Sequence, residues 1–278
     1  MEGAVDVRLR VLGSGSQGNC LAVRSAGGTL VFVDCGLSCR EIEKRSRACG
    51  FDPRRAAAVL FTHDHGDHVS ALATYHKHNP GAALFANDET LEAIIARTGV
   101  SDGWMVFDDE TSFDVLDLRV TPFATSHDAA NPVGFLIEDT APRAPSLFSS
   151  CTEPSALFVA TDTGCATEPM RRAFARADFA VLESNYDPVL LETSDRAWSL
   201  KRRISSANGH LSNIDAADFV RAVNPSRLKT LLLAHISQEC NSPDIALAAM
   251  REALRDCGRE DVSLSALSQD ETSPLFEF

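Results

Sequence analysis

Thr62-His63-Asp64-His65-Gly66-Asp67-His68 packs three imidazoles and two carboxylates into seven residues. The apolar run before it, Ala58-Val59-Leu60-Phe61, reads as a buried strand, and Val69-Ser70-Ala71-Leu72-Ala73-Thr74-Tyr75 after it reads as the start of a helix. The cluster therefore falls on a strand-to-helix turn. His63 and His65 stand two residues apart, so in an extended approach both side chains project to one side and can bind one cation. Asp67 and His68 follow on the turn, displaced by a few ångströms, where they can supply a second cation. Imidazole with carboxylate suits zinc first, with manganese or iron as alternatives. A polar surface turn would explain one such histidine, but it does not explain this density.

The 278 residues suffice for one large domain or two small ones, and 44% apolar with 23% charged residues is ordinary for a globular chain. The net charge of −13 repels polyanions, so any nucleic-acid contact must rest on a local basic patch. No apolar stretch is long enough to span a bilayer, and Met1 to Asp6 lacks a charged-then-apolar signal pattern; the expectation is a cytoplasmic protein with no membrane contact. The eight cysteines include no Cys-x-x-Cys pair and read as free thiols packed as small apolar groups.

Upstream of the turn, Val7 to Leu12 alternates like a strand and enters Gly13-Ser14-Gly15-Ser16-Gln17-Gly18, which spells the dinucleotide-binding pattern G-x-G-x-x-G. That fingerprint needs a helix at the glycines to face a pyrophosphate. Two further strands about a glycine turn follow instead, ending in Asp34-Cys35-Gly36. Ser38 to Cys49 then reads as an amphipathic helix, locally basic through Arg40, Lys44, Arg45 and Arg47 and stopped by Gly50. Downstream, His76 and His78 sit in a polar helical context that predicts solvent-facing side chains. His127, Asp162 and His235 each follow an apolar strand-like run. Residues 140–156 form a Pro/Ser-rich interval that interrupts a hairpin and reads as a flexible insertion. Lys201-Arg202-Arg203 is the densest basic run and lies just ahead of Gly209-His210-Leu211-Ser212.

The order His-x-His-x-Asp-His resembles the signature of the metallo-β-lactamase-fold hydrolases. His127-Asp128-Ala129 followed by Pro132-Val133-Gly134-Phe135, together with Ser14-Gly15-Ser16-Gln17-Gly18-Asn19, resembles one branch of them, the YycJ/WalJ-type hydrolases. Gly209-His210-Leu211-Ser212 is similar to the Gly-His-x-Ser motif of ribonuclease J-like nucleases and the His-Ser element of ribonuclease Z. Tyr186 departs from the related pattern, which commonly has His there.

The resemblance implies a four-layer αββα sandwich, two mixed β-sheets flanked by helices, with residues 1–278 forming one domain. It implies two divalent metal ions: one held by His63, His65 and His127, the other by Asp67, His68 and His235, with Asp162 bridging. Asp34 would brace the metal loops by hydrogen bonds. Asp67 would serve catalysis as well as metal binding, and His210 would meet the scissile phosphate or protonate the leaving oxygen. Phosphodiester hydrolysis of nucleic acid, DNA before RNA, is the activity so implied, with Lys201, Arg202 and Arg203 gripping flanking phosphates. A thioesterase or lactonase using the same metals on a carbonyl is the alternative.

Overall fold

A computed structural model describes residues 7–141 and 153–277. Six strands open the chain: β1 (Arg8–Gly13), β2 (Cys20–Arg24), β3 (Leu30–Val33), β4 (Ala56–Leu60), β5 (Ala83–Ala86) and β6 (Trp104–Val106). Between them lie the helices α1 (Cys39–Ala48), α2 (Gly66–Val69), α3 (Leu72–His78) and α4 (Asp88–Thr98). The second half supplies β7 (Phe113–Val115), β8 (Leu118–Ala124), β9 (Val133–Asp139), β10 (Ala156–Ala160), β11 (Phe179–Glu183), β12 (Thr230–Ala234) and β13 (Ser263–Ala266). Its helices are α5 (Glu168–Phe174), α6 (Pro188–Thr193), α7 (Trp198–Ile204), α8 (Asn213–Val223) and α9 (Pro243–Asp256). The last strand, β14 (Phe276–Glu277), returns to pair with β1, giving two seven-stranded sheets, β14-β1-β2-β3-β4-β5-β6 and β13-β12-β11-β10-β9-β8-β7.

Strand alternation decides the layering, because successive side chains face opposite sides of a sheet. Val31 and Val33 of β3, Ala58 and Leu60 of β4, Val181 of β11 and Leu232 of β12 share the apolar interior between the sheets. Their neighbours face outward: Phe32 and Val59 pack with Ile42, Leu72 and Tyr75 beneath α1 and α3, while Leu182 and Leu233 pack with Phe174, Phe219 and Met250 beneath α5, α8 and α9. This is the expected sandwich of two mixed sheets flanked by helices. Among the described residues no helix is long and apolar enough to cross a membrane. The Pro/Ser-rich stretch from the 140–156 reading falls largely on residues 142–152, outside the described residues.

The glycine-rich stretch 13–18 joins the antiparallel β1 and β2 as a turn, so no crossover helix exists for it to open. Asn19 closes that turn on itself: its Oδ1 accepts from Gly15 N at 2.9 Å and its Nδ2 donates to Gly15 O at 3.1 Å. The reading of His76 needs correction. It is buried, and its Nε2 lies 3.3 Å from Asp102 Oδ2. His76 stands four residues after the buried Leu72, on the face of α3 turned inward, and that helical period outweighs the polarity of its sequence neighbours. His78, two residues on, is exposed as expected.

Candidate metal centre

Strands β3 and β4 run parallel, as do β10, β11 and β12, so their C-terminal ends gather at one edge of each sheet. Open sheets of this kind bind ligands beyond the carboxyl ends of their strands. Asp34 follows β3, the His63–His68 turn follows β4, His127 follows β8, Asp162 follows β10, Glu183 ends β11 and His235 follows β12. Asp34, Asp162 and His235 all adopt left-handed backbone conformations, with φ of 61°, 57° and 52°. Such conformations cost non-glycine residues energy and gather where surrounding structure fixes a functional geometry.

Close backbone approach holds the loops in register. Gly36 lies against the Asp67 carbonyl so tightly that a Cβ there would fall 1.6 Å from its oxygen. Cys35 N donates to His68 O at 2.7 Å, and Val133 N donates to Thr62 O at 3.0 Å. Asp64, the second carboxylate of the turn, accepts from Ala130 N at 3.0 Å and so ties the turn to the segment after His127. It does not join the cluster of donors.

Each imidazole is oriented by a partner on one nitrogen, which leaves the other facing its neighbours. His68 Nδ1 lies 2.7 Å from Asp34 Oδ2, and that carboxylate also accepts from Thr62 N and Thr62 Oγ1 at 2.9 Å each. His127 Nδ1 donates to Gly209 O at 2.8 Å. Gly209 is required there, because a Cβ would sit 2.2 Å from Ile204 O. His63 Nδ1 meets Thr62 Oγ1 at 2.9 Å. Partners of this kind fix which ring nitrogen can serve as a ligand.

The donor atoms converge in three overlapping sets, each within 4.8 Å: His63, His65 and His127; His63, His68 and Asp162; and Asp162, Glu183, His210 and His235. Asp67 is adjacent, its Oδ2 being 3.7 Å from His68 Nε2 and 3.9 Å from His235 Nε2. Three buried atoms here lack hydrogen-bond partners: His63 Nε2, His235 Nε2 and Asp162 Oδ2. The last is 3.0 Å from His68 Nε2 but accepts no hydrogen bond from it. Buried polar atoms are rarely left unpaired, at a cost of about 1–3 kcal/mol each. Unpartnered polar atoms aimed into one nitrogen- and oxygen-rich cluster are what a divalent cation would satisfy once it displaces the His235 proton, so these residues fit a metal.

Electrostatics divide the cluster. Burial, reinforced by the neighbouring His68, holds His63 well below the usual imidazole range, and burial lowers His127. On the other side burial also opposes charge, but carboxylates outweigh it. Asp162 and Glu183 push His235 up to about 10, and Asp34 with Asp162 raises His68 well above its ordinary value. Reciprocally, His235 and His68 overcome burial to hold Asp162 well below the carboxylate range, and His210 with His235 brings Glu183 down to about 2.

Glu183 is the residue that sequence reading missed. Fully buried, it meets His210 Nδ1 at 2.8 Å and His235 Nδ1 at 2.9 Å through Oε1, while Oε2 accepts from Thr163 N at 2.9 Å and Leu211 N at 3.2 Å. The available signal was a carboxylate ending the otherwise apolar Phe179-Ala180-Val181-Leu182. Asn19, which had carried no role, places Nδ2 3.0 Å from His68 Nε2 and 3.4 Å from Asp67 Oδ2.

The three cations of the basic run make different contacts. Lys201 Nζ donates to the carbonyls of Glu192 and Ser194 at 2.6 Å each, and Arg202 stacks over the Trp198 ring at 4.8 Å. Arg203 alone among the three reaches the cluster's rim, binding Asp128 at 2.5 and 3.1 Å; Asp128 Oδ1 is in turn 3.5 Å from His127 Nε2. Consecutive residues on one helical turn fan out by about 100°, so adjacency in sequence is not adjacency in space.

A family profile described as "Beta-lactamase superfamily domain" matches residues 29–236. The chain is 28% identical over 281 aligned residues, 98% of both proteins, to the exodeoxyribonuclease WalJ of Streptococcus pneumoniae. It is 31% identical over 252 residues, 89% of both, to the exodeoxyribonuclease YycJ of Bacillus anthracis. The crystal structure of the metallo-β-lactamase-fold protein YhfI from Bacillus subtilis superposes with a TM-score of 0.70 at 14% identity, covering 98% of this chain and all of that one.

Proposed function

We propose that this chain, which belongs to the β-lactamase superfamily, is a metal-dependent phosphodiesterase of nucleic acid that acts on DNA in preference to RNA. The observation that carries the reading is His210. Its Nδ1 is held by the buried Glu183 carboxylate at the edge of the orphaned donor cluster, which reserves Nε2 for a substrate. The names of the WalJ and YycJ relatives support the choice of DNA. One apolar interior shared by both sheets supports reading residues 1–278 as a single domain.

His63, His65 and His127 would hold one cation and Asp67, His68 and His235 a second, with Asp162 shared, and zinc suits these donors best. Such ions, when bound, polarise phosphoryl oxygens and offset developing negative charge. The chain's own contribution is orientation. Asp34 and the Gly209 carbonyl keep Nε2 of His68 and His127 turned inward. Glu183 holds His210 by its Nδ1, so that Nε2 is presented toward the leaving oxygen as a general acid would be. Arg203 would meet a phosphate flanking the scissile bond.

The test is product analysis of the purified full-length protein on 5′-labelled single- and double-stranded DNA and RNA, beside a thioester. Release of short products from DNA, abolished by His210→Ala, is expected. Thioester turnover without nucleic-acid cleavage would replace this reading with the thioesterase or lactonase one.

A further inference from the structure

On the outer side of the first sheet, α1 and α3 bring together a second group of ligand types. Cys39 is the first residue of α1, Glu43 lies one turn later on the same face, and His78 is the last residue of α3. Cys39 Sγ is 3.9 Å from His78 Nδ1, and the ligand atoms of all three lie within 4.8 Å of one another. We propose that Cys39, Glu43 and His78 form a separate structural site for a zinc-class divalent cation, pinning α1 to α3.

Geometry and charge both support it. Sulfur at ~2.3 Å and nitrogen at ~2.0 Å from one tetrahedral zinc are ~3.5 Å apart, so the observed separation closes with a few tenths of an ångström of side-chain movement. Thiolate and carboxylate with a neutral imidazole balance a dication, and water would take the fourth position. Thiolate, imidazole and carboxylate together select zinc over magnesium or calcium. Without a cation, burial and the nearby Glu43 charge raise the Cys39 thiol, so it stays protonated; binding would release that proton to solvent.

The placement gives the site a role. α1 leaves the Asp34-Cys35-Gly36 loop, and α3 leaves the His63–His68 turn, the two segments joined by Cys35 N to His68 O. A cation bridging Cys39 to His78 would close a loop containing the whole turn and tie the two segments together.

Cobalt(II) separates this site from the metal centre, whose donors are all nitrogen and oxygen. Full-length protein exchanged into cobalt(II) should show a near-ultraviolet thiolate-to-cobalt charge-transfer band. The band should vanish in Cys39→Ser and fall by more than half in His78→Gln, with the visible cobalt bands of the metal centre retained. His78 is exposed, so that variant keeps the fold if Cys39→Ser does not. Absence of the band in the wild type, or its survival unchanged in either variant, would overturn the proposal.

Discussion

The two sides of the metal centre differ in kind. His63, His65 and His127 form a set of imidazoles in which burial holds His63 and His127 neutral. Asp162, Glu183, His210 and His235 form a carboxylate-rich set, and there the metal-free protein keeps a proton on His235. His63 and His127 offer lone pairs at once; His235 must shed a proton to do so. Asp162 belongs to neither alone, because it meets His68 at 3.0 Å and His235 at 3.1 Å while lying 3.9 Å from His127.

Asp162→Asn should therefore have the largest effect, since it removes the charge common to both sides. Metal content measured on protein purified without chelator should fall for both ions together, and phosphodiester hydrolysis should drop to background. Loss of one ion only would show that the sides bind independently and that Asp162 does not bridge them.

Within the carboxylate side, His235 and His210 should separate. His235→Ala should lose one metal and activity together. His210→Ala should keep both metals and lose turnover by ~10²–10⁴-fold, the range for a general acid. Equal metal loss in the two variants would place His210 among the ligands, as its distance of 3.6 Å from Asp162 allows.

Acid and base should each weaken the carboxylate-rich side in chelator-treated protein. A folded-state pKa raised from about 6.5 to about 10 gives His235 a stabilising contribution that is complete below about pH 6.5 and lost as pH rises through about 10. Glu183, lowered to about 2, contributes above about pH 4.5 and loses that contribution as pH falls toward 2. The stripped protein should thus melt at progressively lower temperature from pH 7 to pH 10. Metal-loaded protein, whose His235 is already deprotonated, should not share that decline. Parallel melting curves would mean that the metals do not displace the His235 proton.

What could be read from the chain follows the same division. Four candidate ligands fall within six residues of one turn, His63 to His68, and strand alternation on either side of it locates the layers. His127, Asp162 and His235 each close an apolar strand but are separated by dozens of residues, so family resemblance rather than local spacing linked them. Glu183 was passed over because a carboxylate after four apolar residues is common, and only the parallel register of β10, β11 and β12 sets it between two histidines. His76 was misread because polarity was weighed above helical period.

Arg203 should give the smallest and most specific effect, on the rim beside the imidazole side. Lys201 donates to two carbonyls and Arg202 stacks on Trp198, whereas Arg203 pairs with Asp128 beside His127. Arg203 is half-exposed and held by Asp128, a partner that a phosphate could replace. Arg203→Gln should raise KM for long DNA several-fold and reduce the salt dependence of binding by ~0.7–0.9 log units per log unit of salt, the share of one phosphate contact. Hydrolysis of a small chromogenic phosphodiester should stay near wild type. Asp128→Asn should act in the opposite direction, because it frees the guanidinium, and KM for DNA should fall. Lys201→Gln and Arg202→Gln should leave the salt slope unchanged. If all three cation variants flatten the slope equally, the run acts as one diffuse patch; if Arg203→Gln alone leaves it untouched, the pair with Asp128 is structural and the flanking phosphate is held elsewhere.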